Sequence, residues 1–276
     1  MVLIKVIRAW ALLLGLLAVV APQAPAVAQP LAPDLAGILQ RGALRVAIPE
    51  FDSPPFFQRR NEELEGFDID LARELARDLG VRVVFDRRAK SFNEVVDVVA
   101  DGHADVAVCK LSRTLLRARR VIFTRPYLLF KHALAINRAR FAEIARGRDA
   151  PVVLRQFEGT LGVIANTAYA EFAREYFPNA KIQDFPNWDS VLDAVRSGRI
   201  VALYRDELEI KKMLFDDPSI SLTLRTVTLG DLTDPISMAL PATSVHFAAY
   251  LDLFLEQRVG VASVDSVLAR YQRLLH

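Results

Sequence analysis

The feature that most constrains this 276-residue chain is a helix-to-strand unit that occurs twice, 96 positions apart. In the first copy Ser91-Phe92-Asn93-Glu94 forms a capping box, Phe92, Val95, Val96 and Val99 recur on one helical face, Gly102 ends the helix, and Val106-Ala107-Val108 reads as a strand. In the second copy Trp188, Val191, Leu192, Val195 and Gly198 hold the corresponding places, and Ala202-Leu203-Tyr204 is the strand. A supersecondary unit repeated in this way predicts two similar α/β lobes. Upstream of each copy lies another matching pair of strands, Leu44 to Ile48 and Leu161 to Ile164, each with a helix after it: Gly66 to Leu79 in one half and Thr167 to Phe177 in the other. Val81 to Phe85 adds a further strand, so short β-branched runs alternate with helical stretches, the mark of a largely parallel sheet covered by helices.

Residues 1–28 have a different character. Lys5 and Arg8 precede an unbroken apolar run from Ala9 to Val20, and Ala26-Val27-Ala28 follows, which is the pattern of a secretory signal peptide cleaved before Gln29. The apolar run is too short to cross a bilayer, which takes about 20 residues. Lys5 and Arg8 are the only charges in this leader, so the 35 basic and 33 acidic residues of the whole chain become an even balance after cleavage. No basic excess remains to attract nucleic acid or an anionic membrane surface. Cys109 is the single cysteine, and His103, His132, His246 and His276 have no metal-ligand spacing, so neither a disulfide framework, a metal centre nor another cofactor is expected. Cys109 has no adjacent base to activate it. The expected compartment is the periplasm, and a monomer is expected.

In open α/β sheets ligands sit beyond the carboxyl ends of the strands, where loops present side chains and helix N-termini present free N–H groups. The repeat thereby nominates residues. After the strand of the first copy comes Cys109-Lys110-Leu111-Ser112-Arg113, and after that of the second Arg205-Asp206-Glu207. The offset places Lys110 and Asp206 at corresponding points, so two facing lobes would line one cleft with a cation and an anion.

Gly66-Phe67-Asp68-Ile69-Asp70-Leu71, followed by Leu75-Ala76 and Leu79, resembles the signature of the bacterial extracellular solute-binding proteins of the polar amino-acid class, such as histidine- and glutamine-binding proteins. The likeness continues through Phe92 to Gly102, Ala104-Asp105, Ser112 to Arg117, Phe123 to Tyr127 and Gly162 to Thr167. It implies an α/β, two-lobed periplasmic-binding-protein fold of type II, with residues 29–131 and 234–276 in lobe one and 133–229 in lobe two. Two chain crossings, Lys131 to Ile136 and Thr228 to Ser237, would form the hinge. It also implies capture of an amino acid or related carboxylate by hinge closure, for delivery to an ABC-type membrane permease, without catalysis.

By that resemblance Arg117 takes the ligand carboxylate, which a guanidinium fork fits well. Asp206 receives the α-ammonium; as an acid at the start of a helix from Asp206 to Leu214 it also reads as stabilising that helix's dipole, and both can hold. Ser112 donates to the carboxylate, and Thr167 stands at the helix N-terminus that supplies backbone N–H groups to it; capping is the alternative for both. Phe92 packs over the ligand or belongs to the core. The chain departs from the family pattern at Ser53, a small residue where an aromatic is frequent, so that Phe51, Phe56 or Phe57 would supply the lid, and Phe56 enters the expected site on that ground. Ala168 replaces a frequent hydroxyl, and Lys110 replaces a small residue. Two readings of Lys110 stand side by side: it selects a ligand with a second negative charge, or it pairs across the cleft with Asp206, Glu50 or Asp52. Rival functions are a periplasmic enzyme similar to cyclohexadienyl dehydratases, a ligand sensor acting through a separate partner, and a subunit of another periplasmic enzyme.

Overall fold

The computed structural model describes residues 31–274. The expected leader and its cleavage point lie outside the described residues. Two five-stranded mixed sheets organise this region. The first has the order β4-β1-β5-β12-β6, built from β1 (Ala43–Pro49), β4 (Arg82–Ala89), β5 (Val106–Ala107), β6 (Val121–Phe123) and β12 (Ala239–Pro241). The second has the order β11-β7-β10-β8-β9, built from β7 (Leu128–Asn137), β8 (Thr160–Ile164), β9 (Lys181–Phe185), β10 (Ala202–Asp206) and β11 (Leu224–Ile236). In each, three strands pair in parallel and two more extend one side through antiparallel pairing, so that a single strand, β12 or β7, runs against the rest. A two-stranded hairpin, β2 (Gln58–Arg60) with β3 (Glu63–Glu65), stands apart. Helix α1 (Pro33–Arg41) precedes β1, and α4 (Arg138–Ala145) and α5 (Ala150–Arg155) connect β7 to β8.

The sequence repeat is a structural repeat. Helix α3 (Phe92–Ala100) and helix α7 (Trp188–Arg196) have the same length and the same kind of cap: Ser91 accepts from the Glu94 N–H, and Asn187 accepts from the Ser190 N–H. Each cap satisfies one of the N–H groups that a helix start leaves without a partner. Both helices deliver the chain into a strand at the centre of a sheet, β5 beside β1 and β10 beside β8.

Helix α2 (Phe67–Asp78) carries the signature. Gly66 precedes it at φ 132°, and a Cβ there would stand 2.3 Å from the Phe56 carbonyl oxygen. Only glycine allows that approach, which lets the Phe67 and Asp68 N–H groups donate to the carbonyls of Pro55 and Phe56 at 3.0 Å each. The loop and the helix start thus complete one another.

One expected limit shifts. The strand expected to end at Phe85 runs to Ala89, because β1 slips register after Ala47 and pairs Pro49 with Ala89. Near the C-terminus α9 (Val245–Phe254) widens into a π-turn over Leu255–Val259. Helix α10 spans Val264–Arg270.

Apolar burial divides at the paired strands β7 and β11. Leu128, Phe130, Ile236 and Met238 join the core of the first sheet. Ala133 to Ile136, Leu224, Val227 and Leu229 pack into the two cores that flank the second. Between these groups the ladder slips, with His132 paired to Leu229 and Lys131 paired to Thr233. Residues 230–232 therefore have no register partner, a local weakness of the kind a bulge creates.

Candidate functional site

The strand ends of the two sheets meet around a small cavity. Phe92, Lys110, Ser112, Arg117, Thr167 and Asp206 all line it, so six of the seven side chains nominated from sequence are brought together. The seventh, Phe56, is not on its wall: fully buried, it packs edge-on against Phe67 and Phe130. Of the three candidate lids, Phe57 is also fully buried and only Phe51 reaches the cleft. The remaining cavity volume is about 10 Å³, the space of one water molecule.

Lys110 lies beyond β5 with φ 44°, an uncommon backbone for a residue with a Cβ. Its N–H donates to the Tyr127 hydroxyl at 3.1 Å, and that hydroxyl donates to Asp68 Oδ1 at 3.0 Å. Asp68 is fully buried, and burial pushes its carboxyl up to about 7 against the opposing Tyr127 hydrogen bond. The signature aspartate therefore holds the turn that aims Lys110. The Lys110 ammonium lies 5.2 Å from the Phe56 ring centre and 5.6 Å from that of Phe130. Its partner is neither Asp206, Glu50 nor Asp52 but Glu209, at 2.8 Å. Burial would raise the Glu209 carboxyl, yet the charges of Lys110 and Arg205 outweigh that and hold it at about 2. The pair is ionised and joins the two lobes.

Arg117 opens a 3₁₀ turn, Arg117–Arg119, and is 4% exposed. Its Nε donates to Asn93 Oδ1 at 3.0 Å and Nη1 to the Ser112 carbonyl at 2.9 Å, which fixes the guanidinium plane. Nη2 is buried without a hydrogen-bond partner among the described residues. A buried donor without a partner is costly unless something else meets it, and here it lies at the cavity.

Asp206 caps α8 (Glu207–Asp216), accepting the Glu209 N–H at 3.0 Å through Oδ1, while Oδ2 stands 3.5 Å from Arg205 Nε. Ser112 caps no helix; its hydroxyl donates to Asp234 Oδ2 at 2.7 Å. Thr167 occupies the N-cap position of α6 (Ala168–Tyr176), but its hydroxyl donates backward to the Ile164 carbonyl at 2.7 Å. The first turn of α6, Ala168 and Tyr169, faces the cavity.

Sequence reasoning missed four polar contributors. Arg205 and Tyr169 line the cavity, with the guanidinium 5.5 Å from the Tyr169 ring centre. Asp234, on β11, is 1% exposed with Oδ1 unpartnered among the described residues; burial pushes it up to about 7 in spite of the Ser112 hydrogen bond. Glu209 was within reach of sequence, since three residues after Asp206 it shares that helix face. Asp234 was not, because the slipped ladder at residues 230–232 breaks the alternation that would have aimed it.

The cysteine and the buried histidine are chemically quiet. Cys109 is fully buried, and burial with the nearby Asp68 charge pushes its thiol up. His132, on β7, is buried, contacts the Tyr204 hydroxyl through Nδ1, and is held down at about 4 by burial. Among the described residues no helix is long and apolar enough to cross a membrane.

The chain is similar to known proteins. The sequence profile of the bacterial extracellular solute-binding proteins, family 3, matches residues 44–179. ABC transporter arginine-binding protein 1 of Escherichia coli (strain K12) is 22% identical over 177 residues, 63% of this chain and 68% of that protein. Cyclohexadienyl dehydratase of Pseudomonas aeruginosa is 30% identical over 178 residues, 63% of each chain. Among solved structures, the ancestral amino acid-binding protein AncCDT-1, a precursor of cyclohexadienyl dehydratase, superposes with a TM-score of 0.65 at 24% identity, covering 87% of this chain and 99% of that one. Over residues 44–179 the chain is similar to the bacterial extracellular solute-binding proteins, family 3, and it has the two-lobed α/β fold of a type II periplasmic binding protein.

Proposed function

We propose that the protein captures an α-amino acid between its lobes in the periplasm and presents it to an ABC-type permease. The observation that carries this reading is the convergence on one cavity of a buried arginine from lobe one, its Nη2 unpartnered among the described residues, and a buried aspartate from lobe two. Arg117 would take the carboxylate, helped by the N–H groups at the start of α6, and Asp206 the ammonium. A cavity of about 10 Å³ is smaller than an amino-acid head group, so entry requires the lobes to part. Residues 131–136 and 228–237, where the β7–β11 ladder slips, are the proposed hinge. A ligand that touches both half-sites then favours closure by differential affinity. Micromolar capture needs about 8 kcal/mol, within reach of two charge-assisted contacts and some apolar burial.

An acidic side chain gains no support from Lys110, whose charge Glu209 already meets at 2.8 Å. A second reading, an enzyme of the dehydratase kind, is favoured by the 30% identical relative and by Asp234, a buried carboxyl able to hold a proton near neutral pH beside the cavity. Turnover of arogenate or prephenate would establish it over simple capture.

A thermal-shift screen against the natural amino acids tests the main reading. At least one α-amino acid should raise the melting temperature, because a ligand bound only by the native state stabilises it. No shift from any of them would overturn the reading.

A further inference from the structure

Outside the head-group cavity the lobes enclose a larger space of about 740 Å³, which shares Phe92, Thr167 and Arg205 with the inner one. That is far more than a small aliphatic side chain fills, and it falls in the range of pockets that take a drug-sized ligand, roughly 300–1,000 Å³. Both jaws present aromatic surface to it: Phe51 and Phe92 from lobe one, Trp188 with Pro186 from lobe two. Phe51 meets Phe92 edge-on with ring centres 5.5 Å apart and is 38% exposed. Phe92 and Trp188 are the first residues of α3 and α7, the equivalent positions of the repeat. Each helix starts at the rim of its sheet, so the duplicated unit brings one large ring from each lobe to the same opening. Trp188 also packs against the lobe-two core, which limits its freedom.

Three of the charged groups on these walls have charged partners, whereas the Lys90 ammonium has none among the described residues and Glu94 meets only a backbone N–H. Asp52 meets Arg87 at 2.9 Å, Glu209 meets Lys110 at 2.8 Å, and Glu94 accepts the Lys90 N–H at 2.9 Å. Arg205 stands 3.5 Å from Asp206. Lys90 and Glu94 are exposed and of opposite sign, so the wall selects neither charge strongly, whereas a flat neutral ring gains aromatic contact from both jaws. We propose that this outer space is the side-chain subsite and that the ligand is an amino acid bearing a large, neutral ring, held between Phe51 and Phe92 on one side and Trp188 on the other. The inference rests on the amino-acid reading above and specifies its substrate class.

Calorimetry with phenylalanine, alanine and glutamate tests it. Phenylalanine should bind roughly tenfold or more tightly than the other two, the effect of aromatic contact plus added apolar burial. In Trp188→Ala the ratio of phenylalanine to alanine affinity should fall by about tenfold. Trp188→Leu keeps apolar packing against the core and serves where the alanine variant does not fold; the same fall in ratio is expected. Equal affinity for all three ligands, or a ratio unmoved by either variant, overturns the subsite while leaving amino-acid capture intact. Absence of binding by any amino acid overturns both.

Discussion

The two copies of the helix-to-strand unit share a scaffold and differ in the segment beyond the strand. After β5 the chain makes a left-handed turn at Lys110, tied by Tyr127 to the buried Asp68, and runs through a single bridge at Ser112 and a turn at Leu115 and Leu116 to Arg117. After β10 the chain enters α8 directly, with Asp206 as its cap. One strand end therefore presents cations from a braced loop, and the other presents anions from a helix N-terminus, where the dipole favours negative charge. The duplicated geometry sets where a functional side chain stands. The non-duplicated continuation sets its charge, and an α-amino acid, with a charge of each sign, is the ligand such a pair of half-sites complements.

The largest expected effect separates the two duties of Asp206. Asn caps a helix about as well as Asp, whereas Ala costs about 1 kcal/mol of stability. Asn carries no charge to meet an ammonium, and losing one partner of a desolvated charge pair costs about 2–5 kcal/mol. Asp206→Asn should therefore weaken ligand affinity by about a hundredfold or more while remaining more stable to urea than Asp206→Ala. Calorimetry and urea unfolding on both variants check this. An Asn variant that binds like the wild type would reduce Asp206 to a cap and break the complementarity of the two strand ends.

Next in size is the Lys110–Glu209 pair, the one place among the described residues where the two copies touch through opposite charges. Lys110→Met leaves Glu209 facing an apolar neighbour. The loss should be about 2 kcal/mol, less than a fully buried pair would cost, because Glu209 is 21% exposed and Arg205 lies nearby. Adding Glu209→Gln should recover most of it. The pH dependence has a definite sign: Glu209 is held at about 2 against an ordinary 4.5, so its stabilising effect is present above about pH 4.5 and is lost as pH falls toward 2. Asp68 and Asp234, both pushed up to about 7, act oppositely: their stabilising effect is present below about pH 4 and is lost as pH rises through 7. Unfolding measured at pH 3 and pH 5 should show a smaller acid loss in Lys110→Met than in the wild type. An equal acid loss would mean that the pair does not bind the lobes together.

Legibility in the sequence divides along the same line. The caps, the helical faces and the 96-residue offset are local patterns, and local patterns fix backbone, so Lys110 and Asp206 could be placed at matching strand ends without a structure. The choice of Glu209 over Asp206 as the partner of Lys110 depends on how one lobe is turned against the other, which no local pattern encodes. Phe56 was placed in the site because Phe51, Phe56 and Phe57 are equivalent aromatics in sequence. Only the close approach of Gly66, which fixes the loop on the start of α2, sends Phe56 and Phe57 inward and leaves Phe51 at the cleft.

The smallest expected effect tests how alike the two copies are as scaffolds. Gly102 and Gly198 end α3 and α7 with the same φ of 74°, in the left-handed region where a Cβ costs about 1 kcal/mol. Their surroundings differ: nothing lies within 4 Å of a Cβ at Gly102, whereas at Gly198 it would stand 3.2 Å from Arg140 Cγ. Arg140 is itself held, donating through Nε to the Gly198 carbonyl at 3.0 Å. Gly102→Ala should therefore show the backbone cost alone, about 1 kcal/mol by urea unfolding, and Gly198→Ala that cost plus a few tenths more for moving a long, flexible side chain. Equal losses would mean that Arg140 gives way freely and that the copies are interchangeable here. A loss at Gly102 near zero would instead show that its turn relaxes out of the left-handed region, and the likeness of the two helix ends would hold only for the native glycines.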